Sequence, residues 1–203
     1  MSSIKVQILI TTSHRPSQRV RSFVKELSTV LPSSIKFSRG KATLQDLYYE
    51  AQVAGVKRVI IVSTRKGNPQ SLSIYEPLPP PELRLSQLLS ISLIGVRLRR
   101  ETQNSVEKTT QSSSLCISVP SSAPIEVYSL IDSLSRGFLA RLCLGGEHGT
   151  VETIVKLTYS KKICPLKLEF IDINTGKICG PMLKIRGIKD YVSGYRLYCS
   201  KES

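Results

Sequence analysis

The chain has 203 residues, 40% hydrophobic and 22% charged, which is ordinary for a globular protein of one domain or two small ones sharing a core. Its formal net charge of +14 is not ordinary. Charge of one sign at this density repels itself in the compact state, so a polyanionic partner is indicated, with RNA or DNA ahead of an anionic membrane surface.

A chain this long buries about two-thirds to 70% of its unfolded surface and needs no disulfide or metal staple. No apolar run reaches the roughly 18–20 residues that span a bilayer, and residues 1–9 lack the pattern of a signal peptide; no membrane association is expected. Five cysteines at wide spacing (Cys116, Cys143, Cys164, Cys179, Cys199) form no C-x-x-C pair, and only two histidines accompany them. Zinc is not indicated, and buried reduced thiols in a cytosolic compartment are expected.

Residues 4–10 alternate and are rich in β-branched side chains, which predicts a strand. Pro16 suits a first helical position. Val20, Phe23, Val24, Leu27, Val30 and Leu31 then repeat at the spacing of one helical face, and Pro32 stops the helix. Its other side carries Gln18, Arg21, Ser22 and Lys25, with Arg15 and Arg19 near the start. A short strand over 34–37 precedes Arg39, Gly40 and Lys41. Thr43 and Asp46 form a capping box for a second helix that ends at Gly55, with Leu44, Leu47, Tyr48 and Ala51 inward. Residues 58–62 read as a strand buried on both faces. The β-α-β-α-β order argues for an α/β sheet flanked by helices.

Residues 63–69 then read as a polar turn, 71–75 as a strand, 77–81 as a stiff proline-rich connection and 90–98 as a strand. The uniformly polar stretch 101–114 reads as a linker. Beyond it, a strand over 115–119 and a helix over 124–135 are predicted, the helix with Ile125, Tyr128, Ile131 and Leu134 inward. A glycine-rich break at 145–149 follows, then strands over 151–159, 166–173, 177–185 and 195–199, with a hairpin turn at 174–176. The division expected is therefore a basic α/β half over 1–100, a linker and a second α/β half over 115–203.

Charge follows that division. Residues 1–100 hold 16 basic and 5 acidic residues, a net of +11, against +3 for the remainder. Between Thr11 and Lys41 seven basic residues (Arg15, Arg19, Arg21, Lys25, Lys36, Arg39, Lys41) face only Glu26. Charge runs are commonly solvated faces, but a cluster of this size favours nucleic-acid contact. Arg65, Lys66, Gly67 and Asn68 follow a strand end, where open α/β sheets hold ligands, so a phosphate site and an ordinary surface turn both fit.

Catalytic patterns are not found. His14 and His148 have no carboxylate or cysteine at a suggestive spacing, and the run at 145–149 matches neither phosphate-binding glycine fingerprint.

Four blocks resemble the Brix-domain family: I-T-T-S-H-R-P-S-Q-R-V-R-S-F-V-K-E-L over 10–27, R-G-K over 39–41, T-R-K-G-N-P over 64–69 and L-I-G-V-R-L-R-R-E over 93–101. The resemblance spans 4–101 and is fainter over 115–200. It implies a single Brix domain of two similar α/β halves, each like the anticodon-binding domain of certain aminoacyl-tRNA synthetases. It also implies a non-catalytic ribosome biogenesis factor that binds ribosomal RNA and assists its processing beside pre-ribosomal assembly proteins. The lack of long charged extensions suggests an archaeal, cytoplasmic member, acting as a monomer without cofactor. The RNA-contacting residues on this reading are Arg15, Gln18, Arg19, Arg21, Lys25, Arg39, Lys41, Arg65, Lys66 and Asn68. At His14 relatives often carry a basic residue instead. A tRNA- or synthetase-associated module and a protein-interaction scaffold remain as alternatives.

Overall fold

In the computed structural model, residues 6–118, 124–143, 151–159 and 166–199 are described. The glycine-rich stretch 145–149, with His148, and Cys164 lie outside them.

Strand β1 (Ile8–Thr12) is buried along its whole length and leads into helix α1 (Gln18–Val30). The Ser17 hydroxyl accepts from the Val20 N–H and caps this helix, so Pro16 precedes the cap instead of occupying the first helical position. Val20, Phe23, Val24, Leu27 and Val30 are all fully buried, as their spacing predicts. Strand β2 (Ser34–Lys36) and helix α2 (Leu44–Ala54) follow. The Thr43/Asp46 capping box is present, and Gly55 ends the helix in the left-handed region at φ 63°. Leu47, Tyr48 and Ala51 point inward, whereas Leu44 is exposed.

Strand β3 (Arg58–Arg65) and strand β4 (Asn68–Pro77) form a hairpin in which Arg65 pairs with Asn68. Only Lys66 and Gly67 make the turn, both with positive φ (48° and 78°), the geometry that suits the twist of a two-residue hairpin. The expected polar turn is therefore mostly strand. Strand β5 (Leu85–Arg97) runs 13 residues and ends in a 3-10 turn over Arg99–Glu101.

The second half comprises strand β6 (Leu115–Ser118), helix α3 (Ile125–Phe138) and strands β7 (Arg141–Cys143), β8 (Thr153–Thr158), β9 (Leu166–Asp172), β10 (Met182–Asp190) and β11 (Arg196–Tyr198). Two expectations are corrected here. Helix α3 buries Val127, Leu130, Ile131, Ser133, Leu134, Gly137 and Phe138, while Ile125 and Tyr128 face out. Its inward stripe runs through Ser133 and Gly137, where small size serves packing: a Cβ on Gly137 would meet Ile74 and Leu89 side chains at 3.0 Å. A count of apolar residues passes over both. The strand expected over 177–185 begins instead at Met182, after Gly180 and Pro181.

One mixed sheet joins everything, in the order β2-β1-β3-β4-β5-β10-β9-β8-β6-β7, with β11 beside β10. β1 is parallel to β2 and β3, as β6 is to β7 and β8, and β5 meets β10 antiparallel at the centre. Helices α1 and α3 share one continuous core against one face, including Phe23, Phe138, Phe170 and the inward residues of β4, β5 and β10. Helix α2 covers part of the other face, over Leu9, Val59 and Ile61 of β1 and β3, with Tyr75 of β4 and Leu85 of β5 packed against the same cluster.

The polar connection 101–114 is tied to both halves. Gln111 donates to the carbonyls of Ser28, Leu31 and Ser34 at 2.8, 3.0 and 2.7 Å. Ser112 is buried and bonds Thr153 at 2.6 Å, and Lys108 pairs with Asp172 at 3.1 Å. Cys116 and Cys143 are diagonal neighbours on β6 and β7 with Cα atoms 5.8 Å apart, a separation a disulfide can span. Cys179 is free and buried, and burial pushes its thiol up to about 11.

Candidate nucleic-acid interface

Because β1, β2 and β3 are parallel, the chain leaves all three at one edge of the sheet. From β1 come His14, Arg15 and the start of α1; from β2, the loop with Arg39 and Lys41; from β3, the turn with Arg65, Lys66 and Asn68. Short hydrogen bonds fasten these segments together. The His14 ring donates from Nδ1 to the Gly40 carbonyl at 3.0 Å, and the Ser17 hydroxyl donates to the Gly67 carbonyl at 2.5 Å. The Ser13 N–H donates to the Val62 carbonyl at 2.8 Å, and Thr11 Oγ1 to the Phe37 carbonyl at 2.9 Å. Segments up to 50 residues apart thereby become one surface.

Arg15, Gln18, Arg21, Lys41, Arg65, Lys66 and Asn68 are exposed on it. Arg15 adopts a left-handed backbone (φ 52°) that starts the bend into the helix. The first turn of α1 holds no acidic residue, so the positive end of its dipole is not offset there. Arg39 is partly held back, its Nε donating to the Ala42 carbonyl at 2.9 Å.

Two of the sequence-predicted residues are placed differently. Arg19 forks onto the Glu101 carboxylate and donates to the Val96 carbonyl at 2.9 Å, so its guanidinium is engaged within the protein. That bond, with Glu101's charge, raises the Arg19 pKa and holds the Glu101 carboxyl below its usual range. Lys25 lies about 10 Å farther along the helix axis than Gln18. It lines a separate cleft of about 180 Å³ with Glu26, Arg99, Arg100, Glu107 and Lys108. There Glu26 accepts from the Arg99 N–H at 2.8 Å, and burial pushes its carboxyl upward.

A second groove, of about 410 Å³, begins at Arg65, Lys66 and Asn68 and runs over Ser71 and Ser92 to Arg186. Arg186 was not anticipated. The alternation Lys184-Ile185-Arg186 is the signal that could have marked it as an outward cation. Among the described residues no cluster of three or more His, Cys, Asp or Glu side chains could hold a metal, and no helix is long and apolar enough to cross a membrane.

No model of a protein family matches the sequence. Individual proteins do. A "probable Brix domain-containing ribosomal biogenesis protein" of Aeropyrum pernix is 41% identical over 92 residues, 45% of this chain and 50% of that protein. Its counterpart in Pyrococcus horikoshii is 43% identical over 94 residues, 46% of this chain and 41% of that one. The crystal structure of a "probable ribosomal biogenesis protein" from Aeropyrum pernix superposes with a TM-score of 0.72 at 31% identity, covering 88% of this chain and 94% of that chain. The chain belongs to the Brix-domain ribosomal biogenesis family.

Mil, an archaeal Imp4-like protein, shares the fold with this Brix-domain chain, with a TM-score of 0.62 at 21% identity over 90% of the chain. In sequence, the Brix-domain match spans about half the length of the curated relatives.

Proposed function

We propose that this Brix-domain protein binds ribosomal RNA at the edge formed by Arg15, Gln18, Arg21, Arg39, Lys41, Arg65, Lys66 and Asn68. In doing so it assists rRNA processing and subunit assembly without catalysis, beside pre-ribosomal assembly proteins in the cytoplasm. The observation that carries the reading is the bond from Ser17 to Gly67, which brings the helix start and the β3–β4 turn into one cationic surface. Phosphates satisfy such a surface, with arginine forks giving orientation and lysines giving point charge. Arg19 and Lys25 support the surface from beside it, the first by bracing α1 on Glu101.

The strand order reads the same from either end, β2-β1-β3-β4-β5 against β7-β6-β8-β9-β10. This supports the reading of two similar halves, each like an anticodon-binding domain. The charge asymmetry favours the first half as the main RNA-binding surface. Fluorescence anisotropy with an rRNA fragment and a tRNA of equal length tests the proposal. Tighter, salt-sensitive binding of the rRNA fragment is expected. Equal or preferential binding of tRNA would favour a tRNA-associated module.

A further inference from the structure

We infer that the outer face of the central sheet, on the side away from α1 and α3, is a second contact surface for RNA, one that takes a single strand. The inference rests on the RNA-binding reading above and extends it into the half of the chain that carries little net charge.

Strand register determines what this face displays. Leu157, Leu168 and Leu183 lie side by side on β8, β9 and β10 and are buried in the shared core. Their neighbours Lys167 and Lys184 therefore point to the other side, and they stand directly opposite one another. Like charges in that position repel and destabilise a sheet. Lys156 has Glu169 across from it, but Lys167, Lys184 and Arg186 have no ion-pair partner among the described residues. Among the described residues no helix covers this end of the face, and a cationic row with Glu169 as its one acidic neighbour on β9 calls for an anion from outside.

The row also connects to the first site. The groove of about 410 Å³ reaches from Arg65, Lys66 and Asn68 to Arg186, and among the described residues no acidic side chain lines it. Its floor holds Ser71 and Ser92, which are cross-strand partners, and Ser92 is opposite Gly187. From β3 to β9 the sheet is four strand spacings wide, about 19 Å. That is room for several nucleotides of extended backbone.

An aromatic platform decides between single and double strands. Tyr198 is 63% exposed, and its ring rests on Gly187: a Cβ there would meet Tyr198 Cδ1 at 2.8 Å. A tyrosine held against the sheet beside Arg186 can stack on an unpaired base, and a duplex offers no such base face.

The test uses the full chain with fluorescent oligouridylates of 6 and 20 nucleotides and a 20-base-pair RNA duplex. The variants are Lys167→Gln/Lys184→Gln/Arg186→Gln together, and Tyr198→Ala. The triple variant is expected to bind the 20-mer at least about tenfold more weakly, with a salt slope smaller by about 2, and to bind the duplex as before. Tyr198→Ala is expected to weaken the 20-mer severalfold without changing the slope. Removing opposed lysines should leave the melting temperature unchanged or higher, which shows that the variants fold. An unchanged 20-mer affinity in the triple variant would overturn the inference, as would equal losses on duplex and single strand. An acidic peptide that displaced the 20-mer from the parent but not from the triple variant, at lower concentration than RNA, would also overturn it. If the parent bound no RNA of any kind, the proposed function would fall first.

Discussion

Arg19 and Glu101 are 82 residues apart and meet as a two-pronged ion pair that pins the start of α1 to the turn after β5. Glu101 also accepts from the Leu98 N–H at 3.0 Å, so one carboxylate organises both sides of the junction. Replacing Arg19 with Gln should therefore lower stability by about 1 kcal/mol, the modest value of a partly exposed charge-assisted contact. Its effect on RNA affinity should be smaller than that of Arg21→Gln. Urea denaturation of the two single variants, with anisotropy on each, checks this ordering.

Ser17 caps α1 and donates to Gly67, so it joins helix and hairpin through one hydroxyl. Ser17→Ala should cost about 1–2 kcal/mol in thermal or chemical unfolding, the range of a lost N-cap. It should also weaken RNA binding although it removes no charge. Undiminished RNA affinity would mean that the relative placement of helix start and turn is irrelevant.

Phe23 is fully buried in the core shared by both halves. Phe23→Ala should cost on the order of 3–5 kcal/mol in chemical denaturation. Because α1 and α3 share this core, the two halves should unfold in one transition. Two separated transitions would contradict the continuous core.

Asp190 gives a pH prediction. Burial pushes its carboxyl up, but hydrogen bonds from the Ser133 hydroxyl and the Val192 and Ser193 N–H groups outweigh this and hold it at about 2. Arg136 pairs with the same carboxylate. A folded-state pKa below the unfolded value means stability that is complete above about pH 4 and lost as pH falls toward 2. The loss should be on the order of 2 kcal/mol. In Asp190→Asn, unfolding free energy should depend less on pH across that window, while neutral-pH stability is lower. An acid limb as steep as the parent's would show that Asp190 does not carry it.

What the sequence made legible follows the range of the interactions. The face of α1 is encoded by neighbours three and four apart, so Val20, Phe23, Val24 and Leu27 could be read directly. Helix α3 was misread because Ser133 and Gly137 face inward for their size, which no hydrophobic pattern records. The start of β10 was misplaced because Gly180 and Pro181 break an apolar run that otherwise looks continuous. Of the site, the cationic blocks were visible, but their meeting at one edge depends on parallel pairing of β1 with β2 and β3. Arg19 looked like its neighbours because its partner, Glu101, lies in another element.

The most direct test of the RNA-binding edge compares two charge-matched double variants on one rRNA fragment at several salt concentrations. Arg15→Gln/Arg21→Gln removes two exposed cations at the edge, whereas Lys57→Gln/Lys177→Gln removes two exposed cations outside it. The first should lose about 1–3 kcal/mol of binding and lower the salt slope by roughly 2, with an unchanged melting temperature. The second should bind nearly as the parent does. Equal losses from the two would mean that total charge alone governs binding, and the edge around Ser17 and Gly67 would not be the site.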